Sequence, residues 1–216
     1  MENTFKIGTP ANKLPADLLD LYKDISPSTI GHMTDFGFLN GLQPLFRPIR
    51  ILGPALTVRL PHIDGTGITR ALEIAGPGDV LVIDCSGDTS RACWGEFRTY
   101  AAIEKGIAGV IIAGAVTDVR PIIDLGFPVF SLGISALTTR ALNLEGEVNY
   151  PVSVAGVVVK PGDLIVADDD GVFAVDPAHA RELGERALKK QNDEAVKRRE
   201  KGWDVLLASR RSANKN

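Results

Sequence analysis

The chain has 216 residues, 44% hydrophobic and 24% charged, enough to bury a real core and too apolar for wholesale disorder. Its net charge of −3 supplies no basic field for nucleic acid, and the Lys and Arg residues between Lys189 and Arg211 interleave with Glu and Asp as on a solvated helix face. Two cysteines, Cys85 and Cys93, are too few for a zinc cluster or a disulfide framework. With no signal-like apolar stretch at the N-terminus and no run of membrane-spanning length, the expected setting is the cytoplasm, with no membrane and no direct nucleic-acid partner.

In chain order, Pro15 opens a helix over Ala16 to Lys23, and Ser26 to Thr29 offer caps for a second helix running toward Asp35. Gly53-Pro54 leads into ALTVRL, a strand by its branched residues, and the helix predicted from Thr66 stops at Gly76-Pro77-Gly78. VLVID (Val80 to Asp84) and GVIIAG (Gly109 to Gly114) are continuous apolar runs of buried-strand length. Between them, Trp94 to Lys105 reads as a helix with Trp94, Phe97, Ala101 and Ala102 on one stripe. A short helix from Asp118 to Leu125 and the strand FPVFSLG follow. This β-α-β-α-β order predicts an α/β fold, a layered sandwich with a parallel or mixed sheet covered by helices.

After Thr138 the β-branched, turn-rich sequence reads as a β-meander, a second sheet or barrel-like extension. Two stretches echo each other, GPGDVLVIDCSGD from Gly76 and KPGDLIVADDDG from Lys160: a turn, an Asp, an apolar strand and an acidic loop. Pro177 to Lys201 is a polar helix with Ala180, Leu183, Ala187 and Leu188 inward, and the tail after Ala208 reads as frayed. Residues 1–216 are expected to form one domain: N-terminal helices at about 13–36, an α/β core at about 50–176 and a C-terminal helix at about 177–201.

The three histidines, His32, His62 and His179, lack motif partners, and no GxSxG, HExxH, P-loop or early GxGxxG occurs. Carboxylates, glycines and arginines at strand ends remain, where open α/β sheets place ligands. Gly95-Glu96 is followed, after twenty residues, by Thr117-Asp118. Both acids fall at expected helix N-termini, where free N–H groups favour a substrate carboxylate and a side-chain carboxylate can hold a hard cation. The plainer alternative makes Asp118 an N-cap and Glu96 a first-turn acid, each worth about 1 kcal/mol or less. His62 and Asp64 either line the cleft or form a hydrogen-bonded loop pair. Asp84 and Asp88 either support the acids or cap turns. Asp168-Asp169-Asp170-Gly171 lacks the later Glu of a calcium loop and reads as an Asp-Gly turn. Cys93 reads as a small loop or helix-start residue.

GDVLVID, the WGE loop, AAIEKGIAGVIIAGAVTDV, GFPVFSLG and PGDLIVADDDGV together resemble the RraA-like family, which includes 4-hydroxy-4-methyl-2-oxoglutarate aldolases. The resemblance runs from about Ser26 to the C-terminal helix. It implies a sandwich related to swivelling β/β/α domains, assembled as a trimer or hexamer with sites between subunits. It also implies cleavage of small 2-oxo acids to pyruvate, including oxaloacetate decarboxylation, with Mg²⁺ or Mn²⁺ as cofactor. The family motif is an acid, twenty residues, then Arg-Asp. Glu96 matches the acid, expected to hold metal-bound water and assist proton transfer, and Asp118 matches the metal-binding Asp. Backbone N–H groups of Gly95, Glu96, Phe97 and Arg98 would bind the substrate carboxylate. Thr117 stands where the family has its catalytic Arg. It offers a hydrogen bond but no charge, a loss of roughly 10²- to 10³-fold unless replaced, with Arg120 and Arg91 as candidates. The pattern can also bring a Glu from a neighbour's C-terminal helix, which Glu194 matches. A second reading is a non-catalytic relative that regulates an RNA-degrading enzyme. The missing Arg fits it and the retained Asp118 does not. Methyl transfer to a quinone is disfavoured by the lack of a glycine-rich donor loop.

Overall fold

The computed structural model describes residues 5–213. A short strand, β1 (Phe5–Ile7), precedes α1 (Ala16–Tyr22) and α2 (Pro27–Gly31). Then come β2 (Gln43–Pro44), β3 (Arg50–Arg59), α3 (Thr66–Ile74), β4 (Val80–Asp84), β5 (Ala92–Trp94), α4 (Glu96–Glu104), β6 (Gly109–Val116), α5 (Val119–Asp124) and β7 (Val129–Ile134). The β-rich segment supplies β8 (Gly146–Val148) and two hairpins, β9 (Val152–Val154) with β10 (Val157–Val159) and β11 (Leu164–Asp168) with β12 (Gly171–Val175). Two helices, α6 (Pro177–Glu200) and α7 (Trp203–Ala213), close the chain.

The main sheet runs β1-β8-β3-β4-β6-β7-β2, with β3, β4, β6 and β7 parallel. Every residue of β4 and β6 is buried, which is why both read as unbroken apolar runs. Leu81 and Ile83 face a core shared with Ile68 of α3, Ala102 of α4 and Ile122 of α5. Val80 and Val82 face the opposite way, onto Val152, Val154 and Ile165 of the hairpins. The far side of the β11–β12 hairpin packs Val166 and Phe173 against Leu18, Tyr22 and Ile30 below Ala180 and Ala187 of α6. The layers are thus helix, sheet, sheet, helix.

Strand β3 joins the two sheets. Its first half pairs antiparallel with β11 and its second half parallel with β4. The echoed stretches are therefore the two partners of one strand, and their turns match in detail. Asp79 accepts the N–H of Gly76 at 2.8 Å, and Asp163 accepts that of Lys160 at 2.8 Å. At the far ends, Asp84 accepts from Ser86 N–H at 2.7 Å and Asp168 from Asp170 N–H at 3.0 Å.

Three elements differ from the sequence expectation. Helix α2 ends at Gly31, well short of Asp35, after a proline first turn capped by Ser26. Trp94 belongs to strand β5, not to a helical stripe, because Ala92–Trp94 pairs with the end of β6 and Trp94 O accepts Thr117 N–H at 2.9 Å. Phe97, expected on the buried stripe, is 85% exposed. Residues 209–213 are helical rather than frayed, as part of α7, which starts after a break at Gly202 with φ of 68°; the rest of the tail lies outside the described residues. Among the described residues, no helix is long and apolar enough to cross a membrane.

Candidate functional site

Because β5 and β6 are parallel neighbours, the loops after them emerge side by side at the same sheet edge. One carries Gly95-Glu96 into α4, the other Thr117-Asp118 into α5. Asp118 sits in the left-handed region, at φ 52° and ψ 42°, which Asp tolerates better than most residues. That backbone turns its side chain away from α5, so it does not cap its own helix as the simpler sequence alternative held. Its Oδ2 instead accepts the backbone N–H of Glu96 at 3.0 Å, capping α4 from across the cleft. Gly95 makes the approach possible, since a Cβ there would lie 2.4 Å from Asp118 Oδ2. The Thr117 hydroxyl lies 3.4 Å from Asp118 Oδ1. Glu96 Oε1 accepts the Tyr100 hydroxyl at 3.0 Å, one helical turn on, and this hydrogen bond raises the tyrosine's pKa.

Gly95, Thr117 and Asp118 line an open cleft of about 360 Å³, walled also by Phe97, Arg98, Thr138 and Thr139, and the side chains of Glu96 and Tyr100 lie outside that lining. The Arg98 side chain turns back beneath α4, where its Nη1 donates to Cys93 O and its Nη2 to Gly65 O at 2.9 Å. Sequence reasoning singled out only the backbone of Arg98. Arg91 reaches the carbonyl of Thr138 at 3.3 Å and faces Asp88 at 3.9 Å. Arg120 is exposed on α5, and neither it nor Arg91 lines the cleft.

The remaining carboxylates hold loops. Asp64 is fully buried and accepts from Thr66 N–H and hydroxyl and from the N–H groups of Leu142 and Leu144. His62 is exposed and not bonded to it. Asp84 bridges Ser86 and Ser153 backbone N–H groups, while Asp88 caps its own turn at Ser90 and Arg91. Asp169 accepts Ile49 N–H at 2.7 Å within the two-residue turn of the β11–β12 hairpin. Cys93 lies in β5 with its sulfur 3.6 Å from that of Cys85, both buried. Glu194 pairs with Lys190 on α6 at 2.7 Å.

Among the described residues, no three His, Cys, Asp or Glu side chains gather as a metal cage. The cleft still fits a hard cation that keeps most of its waters. Asp118 has one oxygen free of backbone donors, Glu96 has one oxygen not engaged by Tyr100, and the donor set is all oxygen.

A family model described as RraA-like (Aldolase/RraA) matches residues 16–174. The chain belongs to the RraA-like family. It is 35% identical over 186 residues to a Halalkalibacterium halodurans protein provisionally named 4-hydroxy-4-methyl-2-oxoglutarate aldolase, covering 85% of this chain and 88% of that one. Streptomyces coelicolor RraAS2, described as an unusual member of the RNase ES inhibitor RraA family, superposes with a TM-score of 0.79 at 28% identity, covering 88% of this chain and 99% of that one. The RNA-processing inhibitor RraA of Thermus thermophilis gives 0.59 at 28% identity, covering 77% and 93%. The RraA fold accounts for the sandwich.

Proposed function

We propose that this RraA-like protein is a divalent-metal-dependent lyase that cleaves a carbon–carbon bond of a small 2-oxo acid to release pyruvate, by aldol cleavage or oxaloacetate decarboxylation. The observation that carries this reading is Asp118, a carboxylate held in a left-handed backbone at an open cleft and pinned by the N–H of Glu96. That region costs most non-glycine residues about 1–2 kcal/mol, the cap on α4 offsets that cost, and the same carboxylate still lines the open cleft. The aldolase name of the Halalkalibacterium relative supports the same assignment.

Asp118 would hold Mg²⁺ or Mn²⁺, with Glu96 beside it. A bound cation would polarise the 2-oxo acid and stabilise the negative charge that develops as the bond breaks. The chain's own groups do the rest. The N–H groups of Phe97 and Arg98, in the first turn of α4, face a substrate carboxylate with the helix dipole behind them. Glu96, with one oxygen fixed by Tyr100, offers the other to take the proton of a 4-hydroxyl or to return one to the pyruvyl carbon. Thr117 orients Asp118 through its hydroxyl and brings no charge. Phe97, Tyr100 and Ile103 form an exposed stripe of large hydrophobic side chains on α4 beside the cleft, which supports self-association, as a homotrimer or hexamer, with the site at a subunit boundary.

Thr117 at the family's Arg position also favours a second reading, a regulator of an RNA-degrading enzyme, in line with the neighbours described as an unusual member of the RNase ES inhibitor family and as an RNA-processing inhibitor. The two separate in one assay: pyruvate release from oxaloacetate and 4-hydroxy-4-methyl-2-oxoglutarate, with Mg²⁺, Mn²⁺ or EDTA, for wild type and Asp118→Ala. Metal-dependent release lost in the variant supports the lyase. No release together with no metal-induced rise in melting temperature supports the regulator.

A further inference from the structure

A guanidinium carries five N–H donors in a fixed fork and is nearly always paired with a carboxylate when it leaves water. Arg98 is not. Its two hydrogen bonds run to the neutral carbonyls of Cys93 and Gly65, and among the described residues no Asp or Glu forms an ion pair with it. Asp64, whose field reaches Arg98, already commits its two oxygens to four other donors. The position is built for the side chain: a Cβ at Gly65 would lie 2.6 Å from Arg98 Nη2 and 2.7 Å from Thr139 Oγ1. The nearest atoms to a Cβ at Gly95 belong to Asp118 and Thr117. The cleft thus keeps its cation, beside Gly65 and Thr139, apart from the Asp118 carboxylate, beside Gly95.

We propose that Arg98 is the substrate-binding cation of this cleft: its guanidinium holds the carboxylate at the end of the substrate remote from Asp118 and selects 2-oxo acids that carry a second carboxylate. The proposal rests on the cleft being the substrate site. It supplies, from α4, a positive charge that Thr117 does not. The guanidinium, bonded only to neutral carbonyls, is a cation short of a counter-charge, and an incoming carboxylate provides that charge.

The test compares binding of 2-oxoglutarate, which has the remote carboxylate, with binding of pyruvate, which lacks it. Both are titrated calorimetrically in Mg²⁺ against wild type, Arg98→Met and Arg98→Lys. Arg98→Met is expected to weaken 2-oxoglutarate by about 30-fold or more and to leave pyruvate nearly unchanged, with Arg98→Lys intermediate. If Arg98→Met melts early, Gly65→Ala displaces the guanidinium without removing its charge and should show the same selective loss. Equal loss for both ligands, no loss for either, or no binding of 2-oxoglutarate to wild type would each overturn the proposal. Selective binding through Arg98 without pyruvate release from oxaloacetate would remove the lyase reading and leave Arg98 as a carboxylate receptor.

Discussion

The carboxylate of Asp118 accepts the backbone N–H of Glu96, twenty-two positions earlier, at 3.0 Å. One side chain thereby joins two helices and two loops, so the position of each acid depends on the other. The absent Cβ of Gly95 is the physical condition for this link. Gly95 has φ of −160°, an extended conformation open to any residue, so Gly95→Ala tests sterics alone. The added methyl must push Asp118 aside, and we expect at least a tenfold loss of pyruvate release together with the loss of about 1 kcal/mol of stability that goes with the α4 cap. An active Gly95→Ala enzyme would mean that the Asp118–Glu96 link is dispensable.

Asp118→Asn and Asp118→Ala divide two roles of the same carboxylate. Asn keeps an acceptor for the Glu96 N–H and removes the charge, whereas Ala removes both. Loss of a helix cap costs about 1 kcal/mol, so Ala should lower stability measurably and Asn much less. Both variants should lose the stabilisation that millimolar Mg²⁺ or Mn²⁺ gives the wild type. Thermal melts with and without the metal check both expectations, and a metal shift surviving in Asp118→Ala would place the cation elsewhere.

How far this site could be read from sequence follows from which contacts are local. β4 and β6 were legible because unbroken apolar runs of strand length, bounded by glycines, have few other uses. β1 and β8 were not: each is three residues long and exists through distant pairing, β1 with β8 across most of the chain, as in Phe5 with Gly146, and β8 also with β3. Trp94 fitted a helical stripe by spacing, and only the pairing of β5 with β6 decides otherwise. The echo between the β4 and β11 stretches was visible, but not that both flank β3. Glu96 and Asp118 stood out through motif spacing. Arg98 stood out only for its backbone N–H; the significance of its side chain depends on Gly65 and on the absence of a counter-charge, neither of which a local pattern records.

Strand β3 changes partner between Pro54 and Ala55, beside Gly53. A Cβ there would lie 2.1 Å from the carbonyl oxygen of Gly78, in the turn leading to β4, and 3.2 Å from Val80 Cγ2. The oxygen belongs to backbone, so relief requires moving the turn or the strand. Gly53→Ala is therefore expected to destabilise the fold by about 1–3 kcal/mol, the range of overpacking in dense cores. Urea unfolding monitored by far-ultraviolet circular dichroism gives the value directly. Wild-type stability in Gly53→Ala would show that the two sheets can shift apart at this junction without cost.

Asp64 makes the fold's stability depend on pH in a defined window. Burial alone would raise its pKa, but the Thr66 hydroxyl and the backbone N–H groups of Leu144, Thr66 and Leu142 favour the carboxylate more strongly and hold it at about 2, against the usual 3.8. A pKa lower in the folded than in the unfolded chain means that folding favours the ionised form. The ionised group therefore stabilises the loop joining α3 to the segment before β8 at every pH above about 4. That contribution declines as pH falls from about 4 toward 2, where both states become protonated. Asp64→Asn removes the charge and leaves one of the donors facing an amide NH₂, a loss of about 1–3 kcal/mol near neutral pH. The difference between wild type and variant in urea unfolding should be largest at pH 6 to 7 and should shrink steadily below pH 4. A difference that stays constant down to pH 2.5 would show that the loop is held by shape and not by the charge on Asp64.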